Sequence, residues 1–346
     1  MKNILFIGGT GYIGGPILSR FLQRHDPSLT ISALVRSPDK AAKLRALHTQ
    51  GVQINVVVGS HNDAALVEAL VAEADVVFSL ADCDDLQAAQ SILRGLKKRF
   101  DATGVKPTLI HMSGTGCLGD RAKGEFSSST VYNDMDIAQI ETLPATQPHR
   151  NVDLAIVEAD STQGYTNAYI VLPGIVYGKP HGILVDAGIQ NPTNLALSAY
   201  IKACFERKAA GIVGLGKNVI SHVDVTEVAD QVELLYNAIH SPTSTRSTGS
   251  EIDHGKNGYY FVANGEVEFE KVAEIVEKHA GLPRRAFSDA EMPAYFPSPS
   301  LQGFFGDNGR CDSQRSYQGL GWKPVKTTVD FLDAVREEVK ENWNLV

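Results

Sequence analysis

The first 113 residues alternate short apolar runs with stretches whose apolar positions recur at helical spacing. Ile17, Leu18, Phe21 and Leu22 follow the first run with this spacing. Alternation of β-branched runs with amphipathic helices is typical of repeated βαβ units, which build a parallel sheet. The pattern therefore predicts strands near 3–8, 30–35, 53–58, 75–80 and 107–113.

The pattern changes after the fifth predicted strand. A Gly- and Ser-rich stretch at 114–129 predicts a loop over the carboxyl edge of the sheet, and a sixth strand is predicted at 168–172, ended by Pro173 and Gly174. Beyond it we expect helices near 194–208, 225–240 and 266–280 and a strand at 259–262 in a smaller lobe. We also expect an exposed loop at 241–258 and irregular structure at 283–311.

These elements predict an α/β fold, a Rossmann doubly wound parallel sheet with a smaller α/β C-terminal lobe. We assign residues 1–172 to the Rossmann domain and 173–346 to the smaller, substrate-binding lobe, and we leave open a return of 212–240 to the Rossmann domain. The 346 residues are 43% hydrophobic and 21% charged, which is ordinary globular composition. The chain can therefore fill a core.

Composition also narrows the function classes. A net charge of −8 without a basic cluster argues against nucleic acid. The four cysteines form no C-x-x-C pair and the ten histidines show no ligand spacing, so we expect neither a disulfide framework nor a metal site. No apolar run reaches membrane-spanning length. We expect a cytoplasmic protein with a small-molecule substrate and no membrane partner, and we leave open a homodimer.

A glycine-rich loop follows the first predicted strand and opens a helix. Glycine permits the tight turn and the close approach of the backbone to a pyrophosphate, while the helix N-terminus supplies free N–H groups. The loop predicts dinucleotide binding, although an ordinary strand-to-helix turn is the alternative. The expected cofactor contacts in this loop are Gly8, Thr10, Gly11, Tyr12, Ile13 and Gly14.

The end of the second predicted strand favours NADP(H) over NAD(H). This position should contact the adenosine ribose, and the sequence there has Arg36 and Ser37 but no acid. A carboxylate would repel a 2′-phosphate, whereas a guanidinium can pair with it. Alternatively, Arg36 only solvates the strand end.

Four ordered motifs resemble the extended branch of the short-chain dehydrogenase/reductase superfamily, related to epimerases and dehydratases. They lie in the glycine loop, at 168–178 (AYIVLPGIVYG), at 221–230 (SHVDVTEVAD) and at 312–324, which ends in Leu-Gly-Trp-Lys-Pro. The resemblance spans nearly the whole chain and implies a nicotinamide cofactor. It also implies cofactor contacts at Leu80, Ala81, Pro173, Gly174 and Ile175 and substrate contacts at Thr115 and Tyr177. Asp224 and Glu227 additionally predict a helix capping box, and Trp322 a buried anchor.

The resemblance implies a serine after the fifth strand and a tyrosine followed four residues later by a lysine. Ser113 stands at the serine position, but no tyrosine-lysine pair is recognisable. One substitute is Tyr132, with Asp136 in the place of the lysine, although an acid would raise the pKa of a phenol.

The other substitute is His149, with Asp153 in the place of the lysine. A histidine held by a carboxylate can exchange a proton near neutral pH. Alternatively, His149 is a solvated loop residue and Asp153 an ordinary helix-turn acid.

The sequence thus predicts an atypical, NADP(H)-dependent oxidoreductase acting on a small or medium carbonyl, alcohol or conjugated compound. Two alternatives follow from the unrecognised tyrosine-lysine pair. One is a redox-neutral enzyme similar to epimerases and dehydratases. The other is a non-catalytic NADP(H) sensor similar to NmrA-like regulators.

Overall fold

The computed structural model describes residues 2–241 and 252–343. Its central feature is a sheet of seven strands in the order β11-β7-β5-β4-β1-β2-β3, in which all neighbours are parallel. The strands are β1 (Lys2–Ile7), β2 (Leu29–Val35), β3 (Gln53–Val58), β4 (Val76–Ser79), β5 (Thr108–Met112), β7 (Asn167–Pro173) and β11 (Tyr259–Val262). The predicted Rossmann fold and its first six strands are confirmed.

Helices cover both faces of this sheet. The central strands β4 and β5 are buried on both sides for this reason. One face carries α1 (Gly14–Leu22), α2 (Pro38–Ala46), α7 (Ile183–Asp186) and α9 (Val225–His240). The other carries α3 (Ala64–Ala72), α4 (Leu86–Thr103), α5 (Ile137–Glu141) and α6 (Arg150–Val157). The carboxyl ends of β1, β4, β5 and β7 meet at one edge, where the connections to these helices begin.

A second layer of structure lies beyond this edge and has its own apolar core. Its three-stranded sheet consists of β8 (Ile175–Tyr177), β10 (Val219–Asp224) and β12 (Gly265–Glu268). Its longer helices are α8 (Leu195–Glu206), α10 (Phe269–Ala280) and α13 (Thr328–Trp343). Two short strand pairs join β9 (Ala210–Ile212) to β13 (Arg284–Ala286) and β6 (Tyr132–Asn133) to β14 (Cys311–Asp312).

Three expectations for the second half need correction. The strand predicted at 259–262 is β11, which pairs with β7 in the main sheet and does not belong to the smaller lobe. The segment 283–311 is more regular than expected, since it contains β13, α11 (Glu291–Tyr295) and α12 (Pro299–Gly306). The helix expected from residue 266 begins at Phe269 because the preceding residues pair with β10 as β12.

Other expectations in this half have different outcomes. The helices near 194–208 and 225–240 are confirmed as α8 and α9. Most of the loop predicted at 241–258 lies outside the described residues. The division of the chain at residue 172 stays a prediction, and α9 packs against α1 in the same apolar cluster as the sheet.

At the start of α9, one of the two predicted capping residues acts as a cap and the other bonds to a distant segment. Asp224 caps the helix as expected, because its Oδ1 accepts the N–H of Thr226 at 2.8 Å. The prediction of a capping box is wrong, because the Glu227 carboxylate accepts the N–H groups of Val325 and Lys326 at 2.6 and 2.8 Å. Trp322 is buried as predicted. Glu227 therefore anchors the segment before α13.

Among the residues that the structure describes, no helix combines the length and the apolarity that a bilayer crossing requires.

Candidate functional site

The loop between β1 and α1 is so tight at Gly8 and Gly14 that neither position can carry a side chain. Gly8 has a φ of 91°, and a Cβ added there would lie 2.6 Å from the backbone carbon of Leu80. A Cβ on Gly14 would lie 2.3 Å from the carbonyl oxygen of Gly8. The Gly11 N–H donates to Gly8 O at 2.9 Å and closes the turn. Bare backbone is therefore presented at the glycines of the loop.

The first turn of α1 is open to an anion. No side chain caps this end of the helix, and no acidic residue lies in its first turn. Because the N-terminal N–H groups of a helix carry positive potential, such an end attracts a phosphate. The bare turn and the uncapped helix together fit the pyrophosphate of a dinucleotide.

The neighbouring strand ends complete the predicted cofactor edge. Leu80 and Ala81 follow β4 and lie directly against Gly8. Arg36 follows β2 and is exposed, and no hydrogen bond or ion pair involves its side chain within the described chain. Ser37 caps α2, since its Oγ accepts the N–H of Lys40 at 3.3 Å. Arg36 is therefore available to a ligand, and the Ser37 hydroxyl, which accepts one hydrogen bond in the cap, still has its hydrogen to donate.

Ser113 and Asp153 form a buried pair at the end of β5. The Ser113 Oγ donates to Asp153 Oδ2 at 3.1 Å, and the two residues are 5% and 0% exposed. The other carboxyl oxygen, Asp153 Oδ1, is buried without a hydrogen-bond partner. Burial raises the pKa of Asp153 to about 6, although the bond from Ser113 lowers it. The acid thus titrates close to neutrality.

His149 lies at the start of α6 in a left-handed backbone conformation, with φ of 66°. Its Nδ1 lies 2.8 Å from Asp84 Oδ1 and 3.2 Å from Cys83 Sγ, and its backbone N–H also donates to Asp84 at 3.1 Å. Left-handed backbone is uncommon for a residue other than glycine, and here Asp84 holds both backbone and ring. The ring is therefore fixed in orientation.

The charge of His149 follows from the same contacts. Burial acts to lower the pKa of His149, but the hydrogen bonds with Asp84 and Cys83 outweigh it and raise the pKa to about 10. The same contact lowers the pKa of Asp84. His149 is therefore an imidazolium at neutral pH. Its Nε2 faces the backbone of Gly114 and Gly116, since a Cβ on Gly116 would lie 2.9 Å from that atom.

The carboxylate that holds His149 differs from the expected one. The sequence suggests Asp153, four residues along α6, but Asp153 bonds to Ser113 and Asp84 takes this role. With 13% of its side chain exposed, His149 is not a solvated loop residue. Cys83 and Asp84 are not among the site residues predicted from the sequence, although three acids and a cysteine follow the fourth predicted strand at 82–85. Nothing in the sequence links this run to a histidine 65 residues away.

Three tyrosines are among the predicted site residues, and their contacts lie outside the group of Ser113, Asp153 and His149. Tyr132 lies in β6, and no hydrogen bond or ring contact joins it to Ser113 or Asp153 in the described part of the chain. The Tyr12 hydroxyl donates to Gly178 O at 2.6 Å. Tyr177 is 1% exposed and packs edge-on against Phe331. Tyr177 is therefore a core residue of the second lobe.

A small cleft of about 30 Å³ separates the sheet edge from the second lobe. Thr115 lines it from the loop after β5, and Ile175 lines it from β8. Pro173 and Gly174 lead into β8, where the Gly174 N–H donates to Val262 O at 3.1 Å. The remaining walls come from β10, α12 and the turn after it. Such a space holds one or two water molecules.

Helix α12 closes the outer side of this group. Ser300 in this helix donates its hydroxyl to Asp84 Oδ2 at 3.0 Å. Phe304 and Asp307, at and after its end, line the cleft. The carboxylate that holds His149 therefore also binds the helix that covers the cleft.

The first part of the chain matches a known family. Residues 1–100 match the NmrA-like family. Over nearly the whole length, the chain is 28% identical to the oxidase ucsJ of Acremonium sp., with 99% of each chain covered.

Solved structures share the fold over the full length. UDP-glucose 4-epimerase from Bifidobacterium longum, determined with NAD⁺ and UDP, superposes with a TM-score of 0.61 at 17% identity and 99% coverage of both chains. The dTDP-glucose 4,6-dehydratase DesIV from Streptomyces venezuelae, a double mutant with NAD bound, gives 0.63 at 16% identity, covering 100% of this chain and 98% of its own. UDP-glucuronic acid 4-epimerase from Bacillus cereus, also with NAD, gives 0.61 at 14%, covering 99% and 100%. The chain therefore shares the fold of these epimerases and dehydratases over its full length, as the sequence resemblance predicted, and its residues 1–100 match the NmrA-like family.

Proposed function

We propose that the protein is an NADP(H)-dependent oxidoreductase in which His149 exchanges the proton with a small carbonyl, alcohol or conjugated substrate. The observation that carries this proposal is the Asp84–His149 pair, which lies at the same sheet edge as the bare glycine loop. The relative named as an oxidase supports this class of reaction, and solved structures that share the fold were determined with NAD.

The glycine loop and its neighbours would hold the cofactor. Gly8, Gly11 and Gly14 offer backbone to the pyrophosphate at the open end of α1, and Arg36 offers a free guanidinium to a 2′-phosphate. When bound, the nicotinamide supplies or accepts the hydride. Arg36 is the basis for proposing NADP(H) over NAD(H).

His149 carries the proton that the reaction requires. The imidazolium keeps its Nδ1 in the hydrogen bond with Asp84, so Nε2, which faces the backbone of Gly114 and Gly116, is the atom that can give a proton to a substrate oxygen. Removal of that proton in the reverse direction would regenerate the imidazolium. A positioned acid of this kind accelerates proton transfer by about 10²- to 10⁴-fold.

Ser113 orients the substrate. Its hydroxyl hydrogen is engaged by Asp153, so its oxygen can accept a hydrogen bond from an alcohol or a protonated group. Because the cleft is small, entry of a medium-sized substrate requires α12 to move outward, which breaks the contact between Ser300 and Asp84. We therefore expect substrate entry to loosen the group that holds His149.

The test is NADPH oxidation, followed by the absorbance of the reduced nicotinamide, across a panel of aldehydes, ketones, enones and imines. We expect turnover with at least one class, and a rate that falls as the pH rises toward the pKa of His149, about 10. Asp84→Asn should move this fall to lower pH, since the carboxylate raises that pKa. A protein that binds NADPH but oxidises none across the panel would contradict the proposal, whereas substrate conversion without net absorbance change would indicate a redox-neutral reaction.

A second candidate is a non-catalytic NADP(H) sensor, which the match of residues 1–100 to the NmrA-like family favours. A sensor must bind its partner differently with and without cofactor. Affinity capture with the purified chain, in the presence and absence of NADPH, distinguishes the two. Cofactor-dependent capture combined with no turnover would favour the sensor.

A further inference from the structure

A second and larger cleft lies on another face of α6. It measures about 390 Å³, within the size range of small-ligand sites. Arg150, Leu154 and Val157 line it at helical spacing, whereas His149 and Asp153 project from the helix toward the sheet edge. The cleft is therefore separate from the group around His149 and Asp153 but shares α6 with it.

Arg150 is a buried cation that forms no ion pair with any carboxylate among the described residues. It is 3% exposed, and among the described residues no acid lies within ion-pair distance of its guanidinium. Its Nη1 donates to the Tyr259 hydroxyl at 2.5 Å and its Nη2 to Ile140 O at 3.5 Å, while Nε has no partner. The carboxyl group of Asp153, three residues on, accepts its hydrogen bond from Ser113 and interacts with Arg150 only beyond ion-pair distance. An unpaired buried charge is unfavourable, and an anion in the cleft would offset this.

The mouth of the cleft also carries a positively charged side chain. Lys256 and Glu141 line it and form an ion pair at 2.8 Å. With Arg150 added, the lining has two cations and one acid, so one positive charge remains. Leu143, Leu154 and Val157 supply an apolar wall. The lining thus combines one excess positive charge with an apolar surface.

We infer that this cleft binds a small organic acid, with its carboxylate against Arg150 and its apolar body against Leu154 and Val157. A carboxylate can accept charge-assisted hydrogen bonds from a guanidinium in a way that a neutral amide cannot. The site takes no part in the proposed hydride transfer.

Titration calorimetry of the full chain with phenylbutyrate, compared with its neutral isostere phenylbutyramide, tests this inference. We expect saturable binding of the acid at one site and binding of the amide weaker by about ten-fold or more. Leu154→Trp should abolish binding, because the indole fills the cleft and position 154 is 36% exposed, so the fold tolerates it. Lys256→Gln should weaken binding several-fold, and Lys97→Gln, which removes a lysine of a remote surface ion pair, should leave it unchanged.

Arg150→Gln should also abolish binding, with circular dichroism and the melting temperature confirming that the variant folds. Arg36→Ala should retain full binding of phenylbutyrate, which separates this site from the proposed cofactor site. Equal affinity for acid and amide, undiminished binding by Leu154→Trp, or no binding by the folded parent protein would each overturn the inference.

Discussion

The glycine loop after β1 and the group around His149 lie at the same edge of the sheet but are built differently. The loop consists of consecutive residues, and its shape depends on backbone that tolerates no Cβ at Gly8 or Gly14. The His149 group consists of side chains from distant positions, since Asp84 and His149 are 65 residues apart and Ser113 and Asp153 are 40 apart.

This difference separates two tasks. Backbone N–H groups can bind a phosphate that every dinucleotide carries, and they need only the correct turn. Proton transfer needs a particular side chain at a particular pKa, which neighbouring charges and burial set. We therefore expect changes in the loop to affect binding and changes around His149 to affect turnover or titration.

The largest expected effect is on turnover. His149→Gln should lower kcat by about 10³-fold, because the variant has no acid to give the proton, while the Kd for NADPH stays unchanged. Steady-state kinetics and calorimetry measure the two quantities. Tyr132→Phe is the matched comparison and should retain full activity. Loss of activity in Tyr132→Phe with retention in His149→Gln would assign the proton to the other candidate.

The loop should show the reverse behaviour. Gly14→Ala should weaken NADPH binding by about 100-fold, or about 3 kcal/mol, because the added methyl group would overlap the Gly8 carbonyl. Gly319→Ala serves as a control, since nothing lies within 4 Å of a Cβ added there. Circular dichroism verifies folding. Unchanged affinity in a folded Gly14→Ala variant would argue against pyrophosphate binding at this turn.

Asp153 should affect stability with a defined pH dependence. Its pKa is raised from 3.8 to about 6 in the folded chain, so folding favours the protonated form and stability falls as the pH rises from about 4 to about 6. Asp153→Asn removes this loss and should raise the free energy of unfolding by about 2 to 3 kcal/mol above pH 6, with no gain below about pH 4.

Urea unfolding of this variant at acid and mildly alkaline pH measures the effect. Asp101→Asn removes an exposed acid paired with Lys97 and should change stability by less than about 0.5 kcal/mol at either pH. A gain for Asp153→Asn that is equal at both pH values would show that the carboxyl group does not titrate as expected.

The smallest effect concerns the choice of dinucleotide. Arg36→Ala should weaken NADPH by about ten-fold, since a charge-assisted contact with the 2′-phosphate is lost, and should leave NADH within about two-fold. Arg45→Ala, in the following helix, removes a bond to Val56 O and should affect neither. Equal weakening of both dinucleotides would refute the preference for NADP(H).

Predictions from the sequence were correct where all the residues that form a feature lie in one segment of the chain. Asp224 caps α9 because the cap involves residues two positions apart, but the partners of Glu227 lie almost a hundred residues later and could not be read from the motif. The strand at 259–262 was found from its own composition, yet its place beside β7 depends on how the chain returns to the sheet. Similarly, the motif at 168–178 implied a substrate contact at Tyr177, whereas packing against Phe331 buries this side chain.

The sequence by itself determined the Rossmann sheet, the glycine turn and the basic residue after β2, because strand periodicity and turn geometry are properties of consecutive residues. Only the tertiary structure decided that Asp84 holds His149, that Asp153 bonds to Ser113 and that Arg150 faces a separate cleft. These contacts depend on where α6 docks against the strand ends and how it is rotated about its axis. Docking and rotation arise from packing of the whole core, which no single segment encodes.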